Sequence, residues 1–182
     1  MYFLSSIRYP VPEEYRTNDR LMYRMLACEK FDHAKALKHM IEHSRWIRQM
    51  FPLRMSVIAL ALNAGFLYVS GRDYSYRPIM ILNVAKLVEH DPSSEVLQAT
   101  TAFFCDWVVK KLLIPGRVEN WIMIIDLHNI GVASLPVKKV KGVVDLTQTH
   151  FGGRLFRQLC INMSFMLRKS SSVFLNFVDD IT

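Results

Sequence analysis

The sequence predicts an α/β protein in which an N-terminal helical cap precedes a largely parallel sheet flanked by helices. Two observations carry this prediction. Apolar residues recur at helical spacing in the first part of the chain, and short apolar runs of strand length alternate with helix-length segments beyond it. Strands that alternate with helices favour parallel pairing through right-handed crossovers. We therefore divide the chain into residues 1–54, a helical module, and residues 55–182, an α/β domain.

The helical module begins with an arm over residues 1–16 and continues with two predicted helices. Asn18 offers a cap for a helix over residues 20–28, and Asp32 offers one for a longer helix over residues 33–49. Phe51-Pro52 ends the second helix, because the residue before a proline disfavours helical geometry.

The α/β domain is predicted to begin with a hairpin-like pair of strands. These strands cover residues 67–70 and 79–82, and a turn joins them. The later elements are a helix over 94–113, a strand over 121–126, a helix over 135–149, a strand within 155–163 and a Phe-rich helix at the end. The apolar run at 121–126 is typical of a strand covered on both faces, and we expect the strand within 155–163 to be buried too.

The composition limits the classes of partner. The chain has 182 residues, of which 51% are hydrophobic, so it can bury a sizeable core and is not expected to be disordered. The net charge of +7 fits an anionic membrane surface. Because the charge is spread and no basic run is interleaved with aromatic residues, nucleic acid is not an expected partner.

The cysteines and the apolar runs indicate a cytoplasmic protein. Cys28, Cys105 and Cys160 have no motif spacing, which predicts reduced, buried thiols. We find no signal peptide, and no run reaches the ~20 apolar residues of a membrane span. The longest candidate, 55–69, is interrupted by Asn63 and Gly65. At most a peripheral contact with a bilayer is expected.

Few residues suggest chemistry. Asp126 ends a predicted strand, at the edge where α/β folds place functional groups, and His128 follows it. Neither a Gly-x-Ser-x-Gly motif nor a phosphate-binding glycine loop is present, so we favour a turn cap at Asp126 and do not expect an enzyme. A hydrolase-like activity using Asp126 and His128 is the alternative. His39 and His43 have an allowed zinc spacing without a convincing third ligand, so no metal or cofactor is predicted.

Two segments could serve an apolar ligand or a membrane. Lys138, Lys139 and Lys141 cluster at one end of a predicted helix, as an ordinary solvated face or as a docking site for anionic lipid, where each charge contributes about 1 kcal/mol. The terminal segment, 161–182, is apolar at roughly helical spacing and rich in Phe. It is either a core helix or a lid over something apolar.

Four landmarks in the right order resemble the CRAL-TRIO family. Residues 23–32 resemble the family's N-terminal helical module, and Gly71-Arg72-Asp73 with Arg77-Pro78 resembles its Gly-x-Asp-x-x-x-Arg-Pro hairpin. Residues 124–130, Ile-Ile-Asp-Leu-His-Asn-Ile, resemble the end of its Ile-x-Asp-Leu-Lys-Gly-Ile strand. Residues 161–182 are similar to its Ile-Asn-Ala-Pro segment and the gate helix that follows.

The resemblance implies a sheet that forms the floor of a deep apolar pocket, closed by a mobile C-terminal helix. Such a protein would bind one hydrophobic molecule, a phospholipid, tocopherol or retinoid, and exchange it with membranes without catalysis. We expect a phospholipid, a transient contact with an anionic membrane surface and a monomer. The residues expected to contact the ligand are Ile122, Ile124, Leu167, Phe174, Phe177 and Val178, with Arg24 and Thr182 near a headgroup.

The chain departs from the family pattern at several headgroup positions. Gly131 and Ala133 replace a hydroxyl pair, and Gly153 replaces a Glu, which removes hydrogen-bond partners for an inositol phosphate. Phosphatidylinositol-type transfer therefore stays one option among several ligands. Because the family normally continues past the position of Thr182, we interpret the C-terminal end as truncated. This favours an alternative function, a lipid-sensing or protein-interaction domain of a larger signalling protein.

Overall fold

The structure is a computed structural model that describes residues 11–169. The chain divides into two compact units, Met1–Leu53 and Arg54–Thr182. The first is helical, and the second contains every strand that the structure describes. Each unit is described by itself below.

Within residues 11–53, the first unit contains three helices, α1 (Glu13–Arg16), α2 (Asp19–Cys28) and α3 (His33–Met50). The predicted caps are in place. Asn18 Oδ1 accepts a hydrogen bond from the backbone N–H of Leu21 at 3.1 Å, and Asp32 Oδ1 accepts from the N–H groups of Ala34 and Lys35 at 3.1 Å. The helices close on one apolar cluster, formed by Val11, Tyr15, Met25, Ala36, Leu37 and Met40.

The second unit is an open four-stranded sheet with helices. Its order in the chain is α4 (Met55–Asn63), β1 (Leu67–Arg72), β2 (Pro78–Asn83), α5 (Val84–His90), α6 (Ser94–Lys111), β3 (Trp121–Asp126), α7 (Val137–His150), β4 (Leu155–Ile161) and α8 (Phe165–Lys169). The spatial order of the strands is β1-β2-β3-β4. The β1–β2 hairpin is antiparallel, and β2, β3 and β4 run parallel. The predicted α/β class with a largely parallel sheet is therefore confirmed.

Helix α6 holds much of the core of this unit. It packs against α4 and α7, and its buried side chains include Leu97, Phe104 and Val108. The buried hydroxyl of Thr101 donates to the carbonyl of Leu97 at 2.8 Å, which satisfies it inside the helix. The Oγ of Ser93 caps the helix by accepting from the N–H of Val96 at 3.3 Å.

Burial differs from the expectation for two strands. Strand β3 buries Trp121 and Ile125, but Ile122, Met123 and Ile124 are only half-buried. Strand β4 is one of the two edge strands of the described sheet, and its side chains alternate between half-buried and exposed over most of its length. The prediction of a buried strand there was wrong. Apolar residues indicate that a strand favours burial, but they do not show that another part of the protein covers it.

Three short helices were not predicted. Helix α1 falls in the segment interpreted as an arm, and α4 falls in the apolar run that was weighed as a membrane span. Helix α5 begins directly at the end of β2, where Asn83 caps it by accepting from the N–H of Lys86 at 2.9 Å. Each is too short for a clear helical period. Among residues 11–169, no helix combines the length and the apolar character that crossing a bilayer requires.

Candidate functional site

The two faces of the sheet differ in burial. On one face, Leu67, Met80, Leu82 and Ile125 are all at most 8% exposed, and we call this the covered face. The register places the side chains of the other face side by side on four strands. We call this the open face, and its apolar members are Tyr68, Ile79, Ile81, Ile122, Ile124, Leu159 and Ile161.

The open face keeps apolar side chains in contact with solvent. Ile79, Ile81, Ile122 and Ile124 are half-buried, and on β4 Leu159 and Ile161 are 43% and 41% exposed. An apolar surface that spans neighbouring strands is unusual in a soluble domain and marks a site of interaction. Ile122 and Ile124, which were predicted to contact a ligand, lie at its centre on β3.

The predicted gate begins in α8, directly after β4. Leu167 is 1% exposed, whereas Phe165 and Met166 are 70% and 72% exposed. Ser164, at the family's proline position, accepts a hydrogen bond at its Oγ from the N–H of Leu167 at 3.4 Å. Phe174, Phe177, Val178 and Thr182 lie outside the described residues. The pocket and its closure by a mobile helix stay predictions.

Asp126 and Asn162 lie side by side where β3 and β4 end. Asp126 Oδ1 accepts from the backbone N–H of His128 at 3.0 Å and from Asn162 Nδ2 at 2.9 Å. The carboxylate thus caps the turn after β3, as predicted, and ties the ends of the two strands together. Asn162 has a φ of 55°, a left-handed conformation that asparagine tolerates well. The carboxylate therefore binds the backbone of His128, which leaves the exposed imidazole outside this hydrogen-bonded unit.

The Gly71–Pro78 landmark forms a closed turn at the opposite end of the sheet. Asp73 Oδ1 accepts from the N–H of Arg77 at 2.7 Å and of Ser75 at 2.9 Å, and its Oδ2 pairs with the Arg77 guanidinium at 3.1 Å. Burial disfavours the charged carboxylate, but these hydrogen bonds outweigh it and lower the pKa of Asp73 from its ordinary value. The Asp and Arg of this motif therefore stabilise the hairpin turn, which is a structural role.

Arg77 then carries the turn to the neighbouring strands. Its Nε donates to Asn120 Oδ1 at 2.9 Å, and its guanidinium lies 3.7 Å from the centroid of the Phe156 ring. One side chain therefore joins the hairpin to the starts of β3 and β4. The sequence indicated Arg77 through its motif, but Asn120 and Phe156 carried no signal, because they meet it only through the fold.

The lysines of α7 are partly neutralised. Lys139 Nζ lies 2.5 Å from Asp91 Oδ1, and Lys141 Nζ lies 2.9 Å from Asp145 Oδ2. Lys138 is exposed, and no ion pair of it falls among the described residues. The three were predicted to dock on a membrane, yet two of their charges already have a carboxylate partner within the unit.

In the first unit, the sequence singled out Arg24, His39 and His43. Arg24 is half-buried on α2. His39 Nδ1 lies 2.8 Å from Glu29 Oε1, which links the end of α2 to α3, and the ring of His43 stacks on Trp46 with centroids 5.6 Å apart. Within residues 11–169, no group of three or more metal-binding side chains is found.

The cysteines are free thiols with unequal burial. Cys105 is fully buried in α6, whereas Cys28 and Cys160 are only half-buried, unlike the prediction of three buried thiols. Burial raises the pKa of Cys105 to about 12 and also raises the pKa of Cys160. These two thiols are therefore protonated and weakly nucleophilic at neutral pH.

Comparisons with known proteins agree with the fold. The family model for the CRAL/TRIO domain matches residues 62–182, and no curated protein matches the sequence. The chain is similar to the solved structure titled "Crystal structure of Sfh5", with 16% identity and a TM-score of 0.69. The match covers 94% of this chain and 66% of that one, so the chain spans slightly less than two thirds of its relative, and at this identity the likeness supports the fold alone. The resemblance seen in the sequence is confirmed: the chain belongs to the CRAL/TRIO family, which binds hydrophobic small molecules such as lipids.

Proposed function

We propose that this protein binds one phospholipid molecule against the open face of its sheet and exchanges it with membranes, without catalysis. The observation that carries the proposal is the difference between the two faces. Most apolar side chains of the covered face are buried, whereas none of those on the open face is: Ile122 and Ile124 are half-buried and Leu159 is exposed. A lipid chain would cover that surface and complete the burial of the strands.

The energetics require such an apolar floor. Moving an acyl chain from a bilayer into water costs about 0.8 kcal/mol per CH₂ group, so a carrier has to cover most of the chain. Half-buried isoleucines on adjacent parallel strands offer a continuous wall, which scattered apolar residues on a surface would not.

The segment after β4 supplies the second wall in this proposal. The buried Leu167 anchors the start of α8, and Phe174, Phe177 and Val178 follow it in the sequence. A lid has to open for the lipid to enter and leave, which makes its motion a step of exchange. Thr182, in the same segment, is a proposed headgroup contact.

Asp126 supports a carrier more than an enzyme. Its carboxylate is engaged by the backbone of His128 and by Asn162, so it holds the ends of two strands. A general base would instead need to reach the proton of a substrate or a nucleophile. Turnover of an ester by the purified protein would contradict this part of the proposal.

Mass spectrometry of lipids that copurify with the protein tests binding and names the ligand. We expect a phospholipid in stoichiometric amount, and a preparation free of any lipid would contradict the proposal. Transfer of a fluorescent phospholipid between vesicles then tests exchange. Binding without transfer would favour a lipid-sensing or regulatory domain instead.

The lid is tested by Phe174→Asp. A charge in an apolar contact is strongly unfavourable, so we expect lipid loading to be lost while the circular dichroism spectrum is kept. Leu60→Asp is the matched control, because Leu60 is 76% exposed on α4 and the substitution introduces the same charge. Equal loading of the two variants would contradict the assignment of residue 174 to the lid.

A further inference from the structure

Strands β2, β3 and β4 are parallel, so their amino-terminal ends meet at one edge of the sheet, away from Asp126. Hydrogen bonds draw the segments that lead into these strands together. The guanidinium of Arg72 donates to the carbonyl of Leu112 at 2.8 Å, and that of Arg154 donates to the carbonyl of Glu119 at 2.7 Å. The hairpin turn, the loop before β3 and the start of β4 therefore form one continuous rim.

Positive charge is in excess along this rim. Each acidic side chain that the structure describes there already has a basic partner: Asp73 pairs with Arg77 at 3.1 Å, Asp106 with Lys110 at 2.8 Å and Glu119 with Arg154 at 2.5 Å. Other basic side chains of the rim are exposed and have no acidic partner among the described residues of this unit, namely Arg72, Lys111, Arg117 and Arg157.

Exposed apolar and aromatic side chains lie among these cations. Tyr74 is fully exposed at the tip of the hairpin, Tyr76 is 68% exposed beside it, and Ile114 is 40% exposed in the loop that contains Arg117. Tyrosine is enriched at the level of lipid headgroups, because its ring is apolar and its hydroxyl stays hydrated. Basic side chains with interspersed apolar ones are the composition of a surface that binds anionic bilayers.

We propose that this basic rim (Arg72, Lys111, Arg117 and Arg157, with Tyr74, Tyr76 and Ile114) is the surface that docks on an anionic lipid bilayer. The inference extends the proposed exchange function by naming where the membrane is met. Cations attract the anionic headgroups over a distance of about 10 Å, and the tyrosines and Ile114 insert at the level of the headgroups once contact is made.

The rim fits this role better than the lysines of α7. Lys139 and Lys141 already face Asp91 and Asp145, and binding a bilayer through them would compete with those carboxylates. The charges of Lys111 and Arg117 are uncompensated within the described residues of the unit, so their full attraction is available to anionic lipid.

The test compares two pairs of substitutions that remove the same charge. Lys111→Gln/Arg117→Gln removes two rim charges that have no acidic partner among the described residues, and Lys139→Gln/Lys141→Gln removes the two paired charges of α7. The full chain is sedimented at low salt with vesicles of phosphatidylcholine and phosphatidylserine, and with vesicles of phosphatidylcholine alone. Lipids that copurify with each variant are measured in the same preparations.

We expect the rim pair to lower partitioning into the anionic vesicles by about twenty-five-fold, since each of the two charges contributes about fivefold. The α7 pair should change it far less, and Tyr74→Ser should lower it by a few-fold in a way that added salt does not alter. Loading with copurified lipid should be unchanged in the rim pair, which separates failed docking from failed lipid binding.

Several results would overturn the inference. These are an equal or larger loss in the α7 pair, equal binding of the wild-type protein to vesicles of phosphatidylcholine alone, and no vesicle binding at all. Binding of the rim to RNA in place of vesicles, lost in the Lys111→Gln/Arg117→Gln variant, would assign the surface to a different macromolecule.

Discussion

Ile124 and Ile125 are adjacent on β3 and point to opposite faces, so the same substitution at both positions separates a ligand contact from a core contact. Ile125 is 7% exposed on the covered face, whereas Ile124 is half-buried on the open face. Each is replaced by Ala in turn, which removes the same atoms from the same strand. Any difference between the variants therefore comes from what covers each side chain.

The expected magnitudes follow from burial. Truncating a fully buried isoleucine costs about 2–5 kcal/mol in unfolding free energy, so Ile125→Ala should fall in that range. At Ile124 only part of the side chain contacts protein, and we expect about half that cost in lipid-free protein. If a lipid chain packs on Ile124, the loss of about two CH₂ contacts weakens lipid binding by about 1.5 kcal/mol, or about tenfold in Kd.

Two measurements distinguish a ligand contact from a core contact at Ile124. Urea unfolding of lipid-free protein gives the stability of each variant, and titration with a fluorescent phospholipid gives its Kd. We expect Ile125→Ala to lose stability with little change in Kd, and Ile124→Ala to show the larger change in Kd. If Ile124→Ala is as unstable as Ile125→Ala and binds lipid like the wild type, the open face is part of the protein core and the reasoning fails.

Three further predictions concern other parts of the second unit. Asp73→Asn should lower stability at neutral pH, because the carboxylate holds the backbone of Arg77. Because the pKa of Asp73 is lowered in the folded protein, its carboxylate stabilises the fold at pH values above the ordinary Asp pKa of about 3.9. This stabilisation is lost as the pH falls towards the folded-state pKa. In urea melts, the difference in unfolding free energy between variant and wild type should therefore narrow below about pH 4. Cys105, whose pKa is raised to about 12, should react with a thiol reagent only after denaturant is added, and rapid labelling of folded protein at this residue, read by peptide mass spectrometry, would contradict its burial. Gly142→Ala should raise the unfolding free energy by about 0.5–1 kcal/mol, because Ala has the higher helix propensity. The added Cβ would lie 3.2 Å from Gln98 Nε2, and we expect this flexible side chain to move aside. A lower melting temperature would mean that Gln98 cannot move.

Local chemistry made the helix starts predictable. Asn18 and Asp32 cap α2 and α3 through hydrogen bonds to residues two or three positions ahead, and the sequence alone contains that information. The turn around Asp73 was predictable for the same reason, because its partners are Ser75 and Arg77. Short helices such as α5 were missed because they complete too few turns for a period to emerge.

The distribution of charge could not be read in the same way. The basic residues of the rim come from three separate parts of the sequence, and because no basic run contains them the charge was interpreted as spread; they are Arg72, Lys111 with Arg117, and Arg157. The amino-terminal ends of parallel strands meet at one edge of the sheet, so the fold brings these basic side chains close together. The lysines of α7 gave the opposite result. Their proximity in the sequence suggested a basic patch. However, Asp145 lies one helical turn after Lys141, and the two side chains form an ion pair.

The burial of β3 shows why a sequence cannot tell a protein layer from a ligand. The run at 121–126 predicted a strand covered on both faces, whereas the described residues bury Trp121 and Ile125 and leave the three residues between them half-buried. Selection for an apolar side chain acts on removal from water, whichever molecule provides it, so a wall of protein and a bound acyl chain favour the same residues. The apolar character of Ile122 and Ile124 is accounted for if a lipid provides the second cover. If that face stayed in contact with water, these isoleucines would be unfavourable, because half-exposed isoleucines on neighbouring strands promote aggregation.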